Sequence, residues 1–398
     1  MDKLFIEDLE LDNKKVIVRV DFNVPLKDSK ILNDKRIRAA LPTINYILSK
    51  NASLVLMSHL GRPKGKIVPE LSLKPVADHL GVLINKKVKF IDDCIGEKVK
   101  KEIEDLKAGE ILVLENLRFK KEETENNPDF AKELASLADI YVNDAFGTAH
   151  RAHASTEGIT KFIGKASCGY LLKKEIDYLK TALENPKRPF TAIIGGAKIS
   201  GKIDVIDSLL PKVDHLLIGG GMASTFLKAK GLETGRSLIE EDKVLLAKEL
   251  LSKAGDKIIL PDDLIVTDVL DFDAGVIGRI KHVENSQIPK EMMAVDIGPG
   301  SVKKFSDIIK KSGTIVWNGP MGVFEIDELS KGTFQIAQSM ADASAKGSIT
   351  IIGGGDSASA IEQAGLSDKV SHVSTGGGAS LEFLEGKKLP GLEALSDK

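Results

Sequence analysis

The chain is poor in the residues that usually announce special chemistry or a special environment. Only two of its 398 residues are cysteine, Cys94 and Cys168, and their separation fits no metal-ligand spacing. That argues against a disulfide scaffold or a zinc ribbon and leaves the free or buried thiols of a reducing cytosol. Aromatic residues make up 5%, too few for the stacking platforms on which single-stranded nucleic acid lies. No apolar run approaches the roughly 20 residues of a membrane span. The opening MDKLFIEDLELDNKK lacks the apolar centre of a secretory signal, so a cytoplasmic protein is expected. Charge of one sign is also missing: 56 Lys and Arg face 58 Asp and Glu, for a net charge of -2. No overall field therefore attracts nucleic acid or an anionic membrane, and any anion site has to be assembled locally. There is no repeat of solenoid length and no low-complexity tract.

What remains is a globular composition, 42% hydrophobic and 29% charged, in a chain too long for one ordinary core. Two domains are expected.

Residues 1–169 carry four apolar runs, KVIVRV, ASLVLM, EILVLE and DIYVN, separated by helix-compatible stretches such as RIRAALPTINYILSK. Alternating strands and helices define an α/β fold with a parallel sheet buried on both faces. The residues just after each run carry the chemistry. They are Asp21, Phe22 and Asn23; then Ser58, His59, Leu60, Gly61 and Arg62; then Glu115, Asn116, Leu117 and Arg118. The fourth run leads through Asp144 to His150, Arg151 and His153. Ligands of open α/β sheets bind beyond the carboxyl ends of the strands. That crest collects His59, Arg62, Arg118, His150 and Arg151, with Arg36 coming after the first strand. Guanidinium groups match the paired oxygens of phosphate and carboxylate, so this half suits a small acidic metabolite. Any one of these arginines could equally be a surface cation; several at equivalent strand ends favour a site. Asp21 either orients an arginine or a substrate hydroxyl, or simply forms a turn before Pro25. His153 reads as structural.

The stretch YLLKKEIDYLKTALENPKR has its apolar residues at helical spacing and ends at Pro186 and Pro189. It reads as a helix joining two domains, with a boundary at 169/170 and a second domain over 170–379.

The strand-like runs of that second half, FTAIIGG, HLLIGGG, KIILPDD, MMAVDIGPG, TIVWNGPMG, SITIIGG and SHVSTGG, end mostly in glycine or small residues instead of arginine. Glycine lets the backbone turn sharply and approach a ligand. The first N–H groups of the next helix are unpaired and carry partial positive charge, so they receive phosphate oxygens. Two such junctions, Gly353–Gly355 and Gly376–Gly378, suggest a ligand with several phosphates, and bare backbone beside apolar surface suits an adenosine phosphate. Lys198 and Lys202 stand between a strand and a helix, where ammonium groups can meet phosphate. The segment GGAKISGKI is a near miss to a P-loop, with Ile203 where a Mg²⁺-binding Ser or Thr is required, and GGGDSA is a weak match to a dinucleotide fingerprint. Asp356 can hold a nucleotide-bound Mg²⁺ or cap its helix, as can Ser357. Glu325 is a candidate for ribose hydroxyls or a plain loop carboxylate.

Taken together, VRVDFNVPL, SHLGRP, ENLRF, DAFGTAHRAHAS, GGAK, NGPMGVFE, GGGDS and STGGGASLEFLEG resemble the phosphoglycerate kinase family over nearly the whole chain. The resemblance implies two doubly wound, Rossmann-like domains joined by a helix and a hinge. It implies reversible phosphoryl transfer from 1,3-bisphosphoglycerate to MgADP in glycolysis, by a monomer acting on small molecules. By similarity, Asp21, Phe22, Asn23, Arg36, His59, Leu60, Gly61, Arg62, Arg118 and Arg151 hold the glycerate. Lys202, Ala294, Glu325, Gly354, Gly355, Asp356 and Ser357 hold the nucleotide, Asp356 meeting Mg²⁺. Arg36, Lys198, Lys202, Gly376 and Gly377 flank the transferring group. The family also returns its C-terminal segment, here 380–398, to the first domain. The chain departs from the usual pattern at Leu32, Gly201 and Ala294.

Overall fold

The computed structural model describes residues 3–272 and 274–398. It separates into two compact units, one running to Ile176 and including Lys388–Lys398, the other Asp177–Lys387.

The first unit is built on six strands in the spatial order Val88–Ile91, Ile111–Leu114, Ser53–Met57, Lys15–Val20, Ile140–Asp144, Ala166–Cys168. All neighbours run parallel. Every residue of the Ser53–Met57, Ile111–Leu114 and Ile140–Asp144 strands is buried, as expected of strands covered on both faces. The four apolar runs of the sequence are four of these strands. The two outer strands escape pattern reading because VKFI is interrupted by a lysine and only its last residue is buried, while ASC has three residues. From the Lys15–Val20 strand the sheet grows first to one side and later to the other. The order therefore reverses at that strand, and a crevice opens at its carboxyl end.

The second unit repeats the plan, with the order Ile258–Ile259, His215–Ile218, Phe190–Ile194, Thr314–Asn318, Ile349–Gly353, His372–Val373, again all parallel. The order reverses at Phe190–Ile194. One addition was not legible: MMAVDIGPG contributes no strand to this sheet. Met293–Ile297 instead pairs antiparallel with Asp263–Thr267, whose other edge carries Ile280–Glu284. Ile280–Glu284 has four of its five residues exposed, so it offers no apolar run.

The joining helix spans Tyr170–Glu184. The units part inside it, between Ile176 and Asp177, instead of at 169/170. Its first turn is held in the first unit: the Tyr170 N–H donates to Thr43 Oγ1 at 2.9 Å and the Leu172 N–H to Asp144 Oδ1 at 3.1 Å. The Tyr170 ring meets Phe5 and Tyr46 edge-on. The returning segment likewise starts at Lys388 and not at 380. The Gly377–Leu384 helix buries Ala379, Ser380 and Leu384 within the second unit, where Lys387 also pairs with Asp204. Beyond it, Leu389, Leu392 and Leu395 are buried in the first unit, and Asn143 Nδ2 donates to the Gly391 carbonyl at 3.0 Å.

Asp144 is wholly buried, and burial pushes its carboxyl from 3.8 up to about 7, against hydrogen bonds from Thr43, Leu172 and Leu171. Between about pH 4 and 7 the folded protein therefore holds a proton that the unfolded chain has lost. Stability from this group falls as pH rises across that window, by at most about 1.4 kcal/mol per pH unit. In Asp144→Asn that slope is absent. Urea denaturation at pH 4.5 and 7 should show the variant gaining on the wild type as pH rises; a constant difference refutes this role.

Candidate active site

The carboxyl end of the Lys15–Val20 strand passes into Asp21-Phe22-Asn23. Phe22 is fully buried and its N–H donates to Ser58 Oγ at 2.9 Å, which pins the turn to the next strand's end. The flanking polar residues are then turned to the crevice. Asp21 Oδ2 accepts from Arg36 Nη1 at 2.9 Å, Arg36 being the second residue of the Lys35–Ser49 helix. Asn23 Oδ1 accepts from the Gly61 N–H at 2.9 Å. Gly61 has φ 62°, and a Cβ there would lie 2.8 Å from Leu71. Only glycine takes this conformation without strain, and the turn directs the Gly61 carbonyl to Arg118 Nη1 at 2.8 Å.

Arg62, Arg118 and Arg151, from three different strand ends, line one pocket of about 500 Å³, together with Lys64, Gly65, Lys121, Thr124 and Glu125. Five cations thus face one carboxylate. Arg118 is 8% exposed; burial, with Arg19 and Arg151 nearby, lowers it to about 10, still charged at neutral pH. The histidines go the other way. Burial and the surrounding arginines depress His59 well below 6.5 and His153 to about 3. Burial and Arg151 also lower His150, whose Nε2 accepts from Arg151 Nε at 3.1 Å. The crest therefore offers fixed positive charge from arginine and neutral rings from histidine. Leu60 is buried and contributes through its backbone.

Under this crest lie Asn116, named from the sequence only as a residue following its run, and two residues not singled out there, Arg19 and Glu123. Asn116 is fully buried. Its Oδ1 accepts from the Leu60 and Arg118 N–H groups, both at 3.1 Å, and its Nδ2 donates to the Leu60 and Leu71 carbonyls at 2.7 and 2.9 Å. Arg19 is wholly buried, as is Glu123. The available signal was one arginine inside an otherwise apolar strand covered on both faces, a position a surface cation does not occupy.

The second crest is made differently. Lys202 immediately precedes the Ile203–Leu209 helix. Its ammonium donates to Asn318 Oδ1. Burial lowers it to about 8, against the pull of the Asp356 and Glu385 carboxylates. Asn318 is fully buried, and its Nδ2 has no partner among the described residues. Gly354, at φ 88°, turns the chain from the Ile349–Gly353 strand into the Gly355–Gln363 helix. Asp356 is exposed in the first turn of that helix, while buried Ser357 Oγ accepts from the Gly319 N–H at 2.5 Å. A Cβ on Gly377, the first residue of the next helix, would stand 3.0 Å from the Gly355 nitrogen, so the two glycine junctions abut. Gly376 is buried beside them, and Lys198 lies exposed on the loop after Phe190–Ile194. Ala294 and Glu325 belong to a neighbouring surface: the Val323 N–H donates to the Val295 carbonyl at 2.9 Å, which ties the loop carrying Glu325 to the strand carrying Ala294.

Two doubly wound units, one crested with arginine and the other with abutting glycine-fronted helices, define an α/β phosphotransferase. A family model described as phosphoglycerate kinase matches residues 6–387. Proteins named phosphoglycerate kinase from Chloroherpeton thalassium and Chlorobaculum tepidum are 55% and 56% identical, each alignment covering 100% of both chains. The solved structure of phosphoglycerate kinase from Coxiella burnetii is 42% identical, covers 98% of each chain and superposes with a TM-score of 0.89. The chain belongs to the phosphoglycerate kinase family, whose members are kinases of glycolysis.

Asn116→Ala should cost at least about 2 kcal/mol, because buried backbone groups lose their partners. It should also weaken binding of a phosphorylated acid through displacement of Arg118. Urea denaturation and calorimetric titration with 3-phosphoglycerate check both; unchanged affinity would separate Asn116 from the pocket.

Proposed function

We propose that this chain transfers a phosphoryl group reversibly from the acyl phosphate of 1,3-bisphosphoglycerate to MgADP, giving 3-phosphoglycerate and ATP. The carrying observation is the pocket in which Arg62, Arg118 and Arg151 meet. It is a receptacle for a small phosphorylated acid, and the other unit's crest is of the kind that receives phosphate chains.

An acyl phosphate is already a good donor, so no side-chain nucleophile is required. The work is to align donor and acceptor in line and to stabilise charge on the group in flight. Asp21, Asn23, His59, Arg62, Arg118 and Arg151 hold the acid, with Phe22, Leu60 and Gly61 shaping their backbone. Arg36, Lys198 and Lys202 supply positive charge to the transferring oxygens, and the N–H groups at Gly376 and Gly377 donate to them. Gly354, Gly355 and Ser357 receive the nucleotide phosphates, and Ala294 and Glu325 flank the nucleoside. Closure of the site excludes water, which would otherwise hydrolyse the acyl phosphate.

No cluster of three or more His, Cys, Asp or Glu able to cage a metal occurs among the described residues. Mg²⁺ does not need one: it takes one or two carboxylates together with phosphate oxygens and water. Asp356, an exposed carboxylate on the first turn of a glycine-fronted helix, fits that role. When bound, Mg²⁺ neutralises charge on the nucleotide phosphates. Among the described residues no helix is long and apolar enough to cross a membrane. Cys94 and Cys168 are both buried thiols outside any disulfide, which supports a reducing cytoplasm as the place of action. We infer a monomer acting on small molecules alone, since each crest is built within one unit.

Formation of ATP from the acyl phosphate and ADP, with and without Mg²⁺, tests the reaction directly. Arg36→Ala should lower kcat by roughly a thousandfold, the scale of a cationic contact to a transferring phosphoryl group, with the unfolding midpoint little changed. Retention of near wild-type kcat would remove Arg36 from the mechanism. Asp356→Asn should raise the KM for MgADP about tenfold while leaving the KM for the acid alone, a loss of ground-state binding confined to one substrate.

A further inference from the structure

Beneath the arginine crest lies a buried polar chain. Arg19 sits in the Lys15–Val20 strand with its side chain wholly buried. Its Nε donates to Ser155 Oγ at 2.8 Å, its Nη1 to the Val20 carbonyl, and its Nη2 lies 3.0 Å from His59 Nδ1. Ser155 in turn donates from its hydroxyl to Glu123 Oε1 at 2.6 Å and from its N–H to Glu123 Oε2 at 3.0 Å. Because the Ser155 hydroxyl gives its one proton to Glu123, it can only accept from Arg19. The buried guanidinium charge is therefore matched by a buried carboxylate one hydroxyl away.

The consequence falls on His59. A guanidinium has five N–H donors and no acceptor. At 3.0 Å from one of them, Nδ1 of the ring must be the acceptor, since a proton there would set two donors against each other. A neutral imidazole with Nδ1 bare carries its proton on Nε2. We infer that Arg19 is a positioning residue that holds the His59 ring with Nδ1 bare and the proton on Nε2, so that the ring presents a hydrogen-bond donor to the acid substrate. The charge state agrees. His59 is 4% exposed and faces Arg19 from its own sheet, Arg36 from the helix after the first strand, Arg118 from the turn after Ile111–Leu114, and His153 from the loop after Ile140–Asp144. Asp21 accepts from Arg36 and also lies near enough to Arg118 to raise it. Burial and the three arginines all oppose a second proton on the ring. His59 thus donates without adding charge to a crest already crowded with it, and its donor is set from below.

The inference rests on the reading that His59 touches the acid, and the experiment separates the two. Long-range ¹H–¹⁵N correlation spectra of the full-length ¹⁵N-labelled protein report the tautomer directly. The expected pattern for His59 is a bare Nδ1 and a protonated Nε2, unchanged between pH 5 and 8. A proton on Nδ1, or a titration within that range, overturns the proposal in the wild-type protein, whatever any variant does. Arg19→Lys keeps a cation but loses the fork of donors. It should release the ring into mixed tautomers or a titration inside that range. The KM for 3-phosphoglycerate should rise roughly 10- to 100-fold, the scale of one hydrogen bond to a charged group, and become pH-dependent while the KM for ADP stays constant. An unchanged tautomer in that variant also overturns the proposal. His59→Phe with an unaltered KM for the acid would instead refute the contact between His59 and substrate, while the wild-type spectra still decide what Arg19 does to the ring.

Discussion

Five cations around one pocket repel one another, and the first unit is organised to withstand that repulsion. Two of the pocket's guanidinium groups are held by fixed acceptors, Arg118 by the Gly61 carbonyl and Arg151 by His150, and so are two outside it, Arg36 by Asp21 and Arg19 by Val20 and Ser155. The loops supplying those acceptors are themselves fastened from beneath. Glu115 accepts from the Leu73 and Asn116 N–H groups and from the Ser72 hydroxyl, and Asn116 ties Leu60 to Arg118. The pocket is thus a set of charges clamped by neutral dipoles and by carboxylates kept below the crest. Such preorganisation means that little reorientation remains to be done when an anion arrives.

The second unit solves a different problem with the same architecture. Instead of gathering side-chain charge it brings bare main chain together. A Cβ on Gly319 would lie 2.2 Å from the Gly195 carbonyl oxygen, and one on Gly220 2.5 Å from the Gly196 nitrogen. The loops after three strands therefore pack backbone on backbone, a closeness no side chain allows. Lys202 is the exception, a cation partly desolvated and lowered to about 8, and an ammonium in that condition gains most from a nearby phosphate.

Much of this was legible in the chain. Apolar runs of four to six residues, followed within a few positions by Asp, Arg or Gly, mark strands buried on both faces, and the residues after each run lie on the crest because parallel strands share a direction. Arg62, Arg118 and Arg151 could be assigned to one site for that reason alone. Residues whose role depends on their buried surroundings could not. Arg19 reads as one polar residue in a strand, Asn116 as a loop amide and Glu123 as one acid among several in KKEETEN. Their importance comes from burial, which a local pattern does not record. The boundary inside the Tyr170–Glu184 helix was hidden likewise, since a continuous amphipathic helix carries no mark where its packing partner changes.

By itself the sequence determined the fold class, the two-part organisation and the opposed chemistry of the two halves. These come from local spacing and from residue types at strand ends, which survive without knowledge of distant contacts. Tertiary structure alone decided which nitrogen of His59 faces an arginine, which carboxylates are buried, and that the Gly354–Gly355 and Gly376–Gly377 junctions abut. Those facts depend on groups far apart in the chain meeting in a medium of low polarity, where an unmatched charge or donor is costly and every partner must be found in three dimensions.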